Sequence, residues 1–411
     1  MPKANLIAGL DIGTSKIKIL VATPKEGTES LEVVSQAEEP SFGVRKGVVI
    51  DPEKVSRVIQ ILLSKIKTET GQRINSVYVN ISGSHLFCTS SRGMVAVSRA
   101  DQKVSEVDVE RVLEAARTVS LGSNKEIFEV FPKEYVVDGE AGIKEVVGMQ
   151  GGRLETEVLL LGGFSPYKKN LTQAVLDSDL QILDIIPSAL ASASSVLRQR
   201  QKELGVAVLD IGAGTSELAV FDEGDLIHLA VFPIGSANIT NDIAIGLKTD
   251  IDTAELIKIE RGSCMLRGSN KKSPGRSREK ITIEGEEPLI FPQKMLVGII
   301  EARVSEIFRE TQKELKAIQK QGLLPAGVVL TGGGAKLPKI VELARKELKL
   351  PARLGKPSNF LRLEDDPSFS TVCGLILKGG DWEEGEGLRK KGLPSGKFGD
   401  RIKKIFKIFI P

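Results

Sequence analysis

The chain has 411 residues, 41% hydrophobic and 27% charged, the balance of a globular protein with core enough for one large or two medium domains. Its net charge of +3 hides an asymmetry: from Arg389 onward eight basic residues face one acid, Asp400, a tail of about +7 that leaves the body at about −4. A mildly acidic body with a basic end argues against a general nucleic-acid binder, whose positive charge spreads over a folded face. Three separated cysteines, Cys88, Cys264 and Cys373, form no C-x-x-C and are expected as reduced thiols in a cytosolic protein. The N-terminus shows no signal-peptide segment, and no window approaches the roughly 18 apolar residues of a membrane span, so any membrane contact is expected to be peripheral.

In chain order, the apolar run 6–12 and the β-rich run 17–22 predict a hairpin around a small-residue turn. Apolar positions 55, 58, 59, 62, 63 and 66 predict a helix, and 77–81 a buried strand. From about 84 to 164 the pattern is α/β: strand 93–97, helix 106–119, strands near 127–137 and at 157–161. A helix at 171–178, a strand at 182–186 and a helix at 189–200 follow. The strand–turn–strand of the N-terminus then returns at 206–221, with the two Asp-Ile-Gly units at Asp11 and Asp210, 199 residues apart. Such a long repeat is the trace of two duplicated domains, not of a short-period solenoid. Residues 241–326 are helix-rich, broken by a polar loop at 268–280. A strand at 327–330, a glycine turn and a helix at 338–348 complete the body, and the Gly- and charge-rich 379–397 predicts a flexible linker.

The chemistry concentrates in three turns. In Asp11-Ile-Gly-Thr-Ser-Lys16, Gly13 permits a tight turn with exposed N–H groups, Thr14, Ser15 and Lys16 add donors, and Asp11 would hold Mg²⁺ through water. Asp210, Gly212, Ala213, Gly214 and Thr215 offer the same from the other repeat, with Asp210 the second water-mediated Mg²⁺ holder. Gly332, Gly333 and Gly334, between a strand and a helix, leave backbone free to pack on a flat base. No G-x-x-x-x-G-K-[ST] is present, so this is not a P-loop.

With these turns the chain resembles the actin–Hsp70–sugar-kinase superfamily. Within it, the segments 77–85, 91–95, 108–112, 235–244, 254–258 and 300–304, and the basic end, resemble the FtsA family of bacterial cell-division proteins. The resemblance covers nearly the whole chain. It implies an α/β actin-like fold of two duplicated ATPase-type domains around a nucleotide cleft, with an FtsA-type inserted α/β subdomain. The implied subdomains are 1A (1–83 plus 166–196), 1C (84–165), 2A (197–240 plus 327–379) and 2B (241–326), then a linker (380–396) and a membrane-targeting helix (397–411). It also implies ATP and Mg²⁺ as cofactors, with Gly235 and Asn238 at the cleft and Glu255 and Lys258 on a helix closing over ribose and adenine. The implied role is a scaffold that polymerises and tethers FtsZ to the inner face of the cytoplasmic membrane at the division site. Arg303 would contact the FtsZ C-terminal peptide, and residues 84–165 further division proteins.

Two departures bear on hydrolysis. Ala213 and Glu217 stand where the superfamily turn reads Gly and Asp, and 185–190 lacks the Gln or Glu that orients the attacking water. General-base help needs an acceptor within hydrogen-bond reach, so no catalytic residue is expected and at most a slow ATPase. His85 and His228 are expected to be structural. In the tail, Phe398, Ile402, Ile405, Phe406 and Phe409 share a helical stripe, with Arg401, Lys403, Lys404 and Lys407 on much of the remainder. That pattern suits insertion into an anionic membrane surface. The alternatives are a type IV pilus assembly adaptor on the same fold or, with less support, a sugar-kinase-type enzyme.

Overall fold

The computed structural model describes residues 6–25, 27–28, 30–266, 278–281 and 289–379. The expected linker at 380–396, the expected membrane helix at 397–411 and most of the expected polar loop lie outside the described residues. The described chain divides into two compact units, one running to Phe87 and resuming at Phe164, the other spanning Cys88–Gly163. Among the described residues no helix is long and apolar enough to cross a membrane.

The first unit opens with β1 (Ile7–Ile12), β2 (Lys16–Pro24), β3 (Leu31–Pro40), the short pair β4 (Val44–Arg45) and β5 (Val48–Val49), α1 (Pro52–Thr70) and β6 (Ser76–Ile81). The second unit holds β7 (Phe87–Ala96), α2 (Glu106–Arg117), β8 (Lys125–Val137), β9 (Glu140–Ile143) and β10 (Arg153–Phe164). The chain then returns through α3 (Ser165–Leu176), β11 (Gln181–Pro187), α4 (Ser188–Val196) and α5 (Gln199–Leu204). The repeat follows as β12 (Val206–Ile211), β13 (Ser216–Asp222), β14 (Asp225–Phe232), α6 (Ser236–Leu247), α7 (Ile251–Arg261), β15 (Arg278–Ile281), β16 (Leu289–Pro292) and α8 (Gln293–Ala317). It closes with β17 (Val328–Thr331), α9 (Ile340–Leu348), β18 (Ala352–Leu354), β19 (Phe360–Leu361) and α10 (Ser370–Gly379).

The duplication is visible strand by strand. One sheet runs β11-β6-β1-β2-β3-β19, the other β18-β17-β12-β13-β14. In both, an antiparallel meander is flanked by two strands parallel to its first member. The meanders share a register: Asp11 pairs with Lys18 across β1–β2, and Asp210 with Glu217 across β12–β13. Both first strands are nearly continuous apolar runs, as strands covered on both faces must be.

Helix ends follow local chemistry. Asp51 caps α1 by accepting from the Lys54 N–H, Pro52 opens the helix, and Gly71, at φ +68°, closes it in the left-handed region. The expected helix over 189–200 is interrupted, because Leu197 is extended (φ −107°, ψ 145°) and splits it into α4 and α5. Part of the expected loop at 268–280 is strand, since Arg278–Ile281 pairs with Leu289–Pro292.

Helices α4 and α10 pack on each other, α10 also on β1 and β2 of the first sheet and α4 on β12 and β13 of the second. A Cβ on Gly374 would overlap the Ala191 carbonyl, so only glycine permits this approach. Gly9 of β1 is held to α10 in the same way, with its missing Cβ only 2.8 Å from the Val372 carbonyl oxygen. The chain thus crosses back: β19 pairs with β3 and becomes the sheet's edge, and α10 packs on β1, although both follow the repeated meander in sequence.

In the second unit, β7-β10-β8-β9 form one sheet. Its helix α2 is fixed by a capping box in which the Asp108 carboxylate takes the Ser98 and Ser105 N–H groups, at 3.0 Å each, and the Ser105 hydroxyl at 2.6 Å.

Candidate functional site

The two phosphate-type turns meet. The Gly13 N–H closes the first by donating to the Lys16 carbonyl at 3.1 Å, and the Gly212 N–H closes the second on the Thr215 carbonyl at 2.9 Å. A Cβ on Gly214 would stand 2.6 Å from Thr14 Oγ1, so glycine there lets the second turn touch the first. Ser15 is exposed, and its carbonyl accepts from the Ser41 N–H at 2.9 Å.

Four charged groups lie beneath. Asp11 Oδ1 accepts from Asn80 Nδ2 at 2.9 Å, and Asn80 also bonds Ser188 Oγ at 3.0 Å and receives the Ile12 N–H at 2.7 Å. Asp210 Oδ2 accepts from Thr371 Oγ1 at 3.0 Å. Lys18, the cross-strand partner of Asp11, is 8% exposed, donates to the Ser368 carbonyl and sits 4.9 Å over the Phe369 ring. Glu217, 5% exposed, accepts from the Ser82 hydroxyl and, at 3.1 Å, from the Ala189 N–H.

One buried cation among three carboxylates cannot neutralise them, so protons are retained. Burial pushes Asp11 up to about 6, Lys18 opposing and Asp210 reinforcing it. Burial, then repulsion from Asp210, pushes Glu217 up to about 8. Burial also raises Asp210, against its hydrogen bonds from Thr371 and Ser192.

Most of the predicted turn residues converge here, with two refinements. Lys16 is half-exposed and paired with Glu38, whereas the buried lysine facing the carboxylates is Lys18, which sequence reasoning missed. The segment 185–190 holds no Gln or Glu, yet Glu217 of β13 brings a carboxyl to the Ala189 N–H. Pushed up to about 8, that carboxyl keeps its proton at neutral pH in the ligand-free protein.

The residues expected on the ribose and adenine side are held just as locally. The α6 N-terminus docks on the second turn, Ser236 N–H on the Gly212 carbonyl (2.8 Å) and Ala237 N–H on the Ala213 carbonyl (2.9 Å). Asn238 Oδ1 receives the Gly235 N–H at 3.0 Å. Lys258 is 8% exposed and bonds the half-exposed Glu255 at 2.6 Å and Thr240 Oγ1 at 2.9 Å, so its ammonium ties α7 to α6. In the third turn a Cβ on Gly332 or Gly334 would strike Asp210 or Ile211, whereas Gly333 has open space beside it. Two of these glycines therefore serve strand packing, and only Gly333 leaves a free face.

Outside the cleft, Arg303 of α8 grips Asp242 of α6 through Nε (2.7 Å) and Nη2 (2.9 Å), and its Nη1 bonds Glu306. The side chain is 25% exposed, so any partner would meet it as part of an ion-pair cluster. His228 pairs with Glu314 at 2.8 Å, and His85 packs edge-on against Tyr167, its pKa pushed down to about 4 by burial.

A family model described as cell division protein FtsA matches residues 207–374, and one described as the SHS2 domain inserted in FtsA matches 83–161. The cell division protein FtsA of Pseudomonas aeruginosa is 38% identical over 377 residues, 91% of this chain and 89% of that protein. The Bacillus subtilis protein of the same name is 34% identical over 92% of this chain and 84% of its own. Among solved structures, a PilM–PilN type IV pilus biogenesis complex aligns with TM-score 0.66 at 18% identity, over 91% of this chain and 98% of that one. MreB5 of Spiroplasma citri bound to ADP aligns with TM-score 0.56 at 14% identity, over 93% and 98%. At those identities the structures attest the actin-like fold alone. The sequence relatives carry the assignment, and the chain belongs to the FtsA family of cell division proteins.

Proposed function

We propose that this chain is an ATP-binding, polymer-forming scaffold that tethers FtsZ filaments to the inner face of the cytoplasmic membrane. The observation that carries the nucleotide part is the matched pair of hairpins, which bring Asp11 with Lys18 and Asp210 with Glu217 to one place under glycine turns that touch. Surplus buried carboxylate beside phosphate-type turns fits a magnesium nucleotide, since a divalent cation supplies the missing positive charge. Asp11 and Asp210 would hold Mg²⁺ through water, the N–H groups of the first two turns and Lys18 the phosphates, and Gly333, Glu255 and Lys258 the adenosine side. Magnesium ATP, once bound, would supply the phosphoanhydride that a slow hydrolysis breaks. With no Gln or Glu in 185–190 to orient the attacking water, nucleotide acts first as a structural ligand.

The membrane part rests on the basic, apolar-striped sequence of 397–411. One such helix binds weakly, and polymerisation would multiply it through avidity. FtsZ docking is assigned to the helical subdomain around Arg303. The body should bind the C-terminal peptide of FtsZ by fluorescence anisotropy, and Arg303→Glu should weaken that binding. Absence of binding by the unmodified body would turn the assignment toward a pilus-type adaptor.

A further inference from the structure

Beside the first phosphate turn lies a device that none of the roles above uses. Strands β4 and β5 pair Val44 with Val49 and Arg45 with Val48, leaving Lys46 and Gly47 as a two-residue turn. Both have positive φ, Lys46 at +49° and Gly47 at +76°, the pattern of a type I′ turn. Glycine and asparagine suit the first of those positions, whereas lysine pays the left-handed penalty there. Strain of this kind persists where the surroundings over-determine it and gathers at ligand clamps.

The surroundings do over-determine it. The Gly47 N–H donates to Thr14 Oγ1 at 2.9 Å, and the segment entering the hairpin is tied to Ser15 through the Ser41 N–H. A Cβ on Gly47 would overlap Ser82 Oγ, the hydroxyl that bonds Glu217. Asn170 Nδ2 holds the far strand by the Val49 carbonyl at 3.1 Å. The turn is thus clamped between the first phosphate turn and the Ser82–Glu217 contact. It bonds the first turn, whereas α6 docks on the second turn and the Gly332–Gly334 turn packs on Asp210 and Ile211. Arg45 and Lys46 are both exposed, and neither makes an ion pair among the described residues. Thr14, accepting from Gly47, keeps its own hydroxyl proton to donate.

We infer that Lys46 is a second phosphate-binding cation, positioned by its strained turn to contact the terminal phosphate of a bound nucleoside triphosphate. It rests on the nucleotide reading above. The buried Lys18 is shared with the Ser368 carbonyl and the cleft carboxylates, so one lysine cannot balance a whole triphosphate and its end needs further charge. The hairpin offers it beside the first turn, while α6 and the Gly332–Gly334 turn, the expected adenosine side, pack on the second, so the contact would separate ATP from ADP.

The test is titration calorimetry of the full chain with magnesium ATP and magnesium ADP. Loss of one charge-assisted contact in Lys46→Gln should weaken ATP about tenfold and leave ADP within about twofold. Arg45→Gln, which removes the same charge one residue away, should shift ATP by no more than about twofold. Lys46→Gly should raise the melting temperature of the nucleotide-free protein, because it relieves the turn, and still lose the ATP preference. Equal loss of ATP and ADP in Lys46→Gln would make the turn merely structural and overturn the inference. An equal effect of Arg45→Gln would do the same, replacing a contact with a diffuse field. Retained ATP preference in Lys46→Gly would also refute it. An unmodified chain that binds neither nucleotide would instead remove the cleft reading beneath it.

Discussion

Glu217→Gln gives the sharpest test of the buried charge in the cleft. The folded protein holds Glu217 at about 8, against 4.5 when the side chain is free, so folded chains keep a proton that unfolded chains release. Because the folded state binds more protons across this window, its stability falls as pH rises. The contribution is complete below pH 4.5 and is lost progressively up to about pH 8, at 1.36 kcal/mol per unit, or about 4 kcal/mol by pH 7.5. Asp11, raised from 3.8 to about 6, adds the same sign over its lower window. A glutamine at 217 keeps both contacts, its carbonyl accepting the Ala189 N–H and its amide donating to Ser82 Oγ. It removes the proton linkage. Urea unfolding of the nucleotide-free protein by far-ultraviolet circular dichroism, at pH 5 and pH 7.5, should therefore find the two proteins within about 1 kcal/mol at the lower pH. At the higher pH Glu217→Gln should be more stable by about 3–4 kcal/mol. Parallel stability curves for the two proteins would refute the buried, protonated carboxyl.

Three further outcomes follow from contacts already described. Gly374→Ala puts a methyl group into the Ala191 carbonyl and should cost about 3 kcal/mol or prevent folding, measured by thermal melting. In the second unit, Asp108→Ala strands the Ser98 and Ser105 N–H groups and should cost about 2–3 kcal/mol on unfolding, with early hydrogen exchange across α2. Lys18→Met removes the only buried cation facing Asp11 and Asp210 among the described residues and should abolish nucleotide binding in calorimetry while Lys16→Met leaves it measurable.

How much of this was legible in the sequence depends on the range of the interaction. The duplication was, because Asp11 and Asp210 open equivalent hairpins and the turns close locally. The choice between Lys16 and Lys18 was not. The two share a strand, and what buries Lys18 is the chain at Ser368–Phe369, 350 residues away. The capped helix α1 and the capping box of α2 announce themselves through Asp51, Pro52, Ser105 and Asp108. Helix α10 carries no such signal, being buried along most of its length without a polar stripe to set a period. Glu217 stands out in the sequence, but its contact with Ala189 does not, because it arrives from β13, 28 residues away. The β4–β5 turn was invisible because Lys-Gly is not the pair that such turns prefer.

The tether is tested most directly by mixing FtsZ with anionic vesicles and either the whole chain or a chain ending at residue 396, then sedimenting the vesicles. FtsZ should pellet with the whole chain and stay in the supernatant with the shortened one, although both bind ATP equally. FtsZ pelleting to the same extent with the shortened chain would contradict the account.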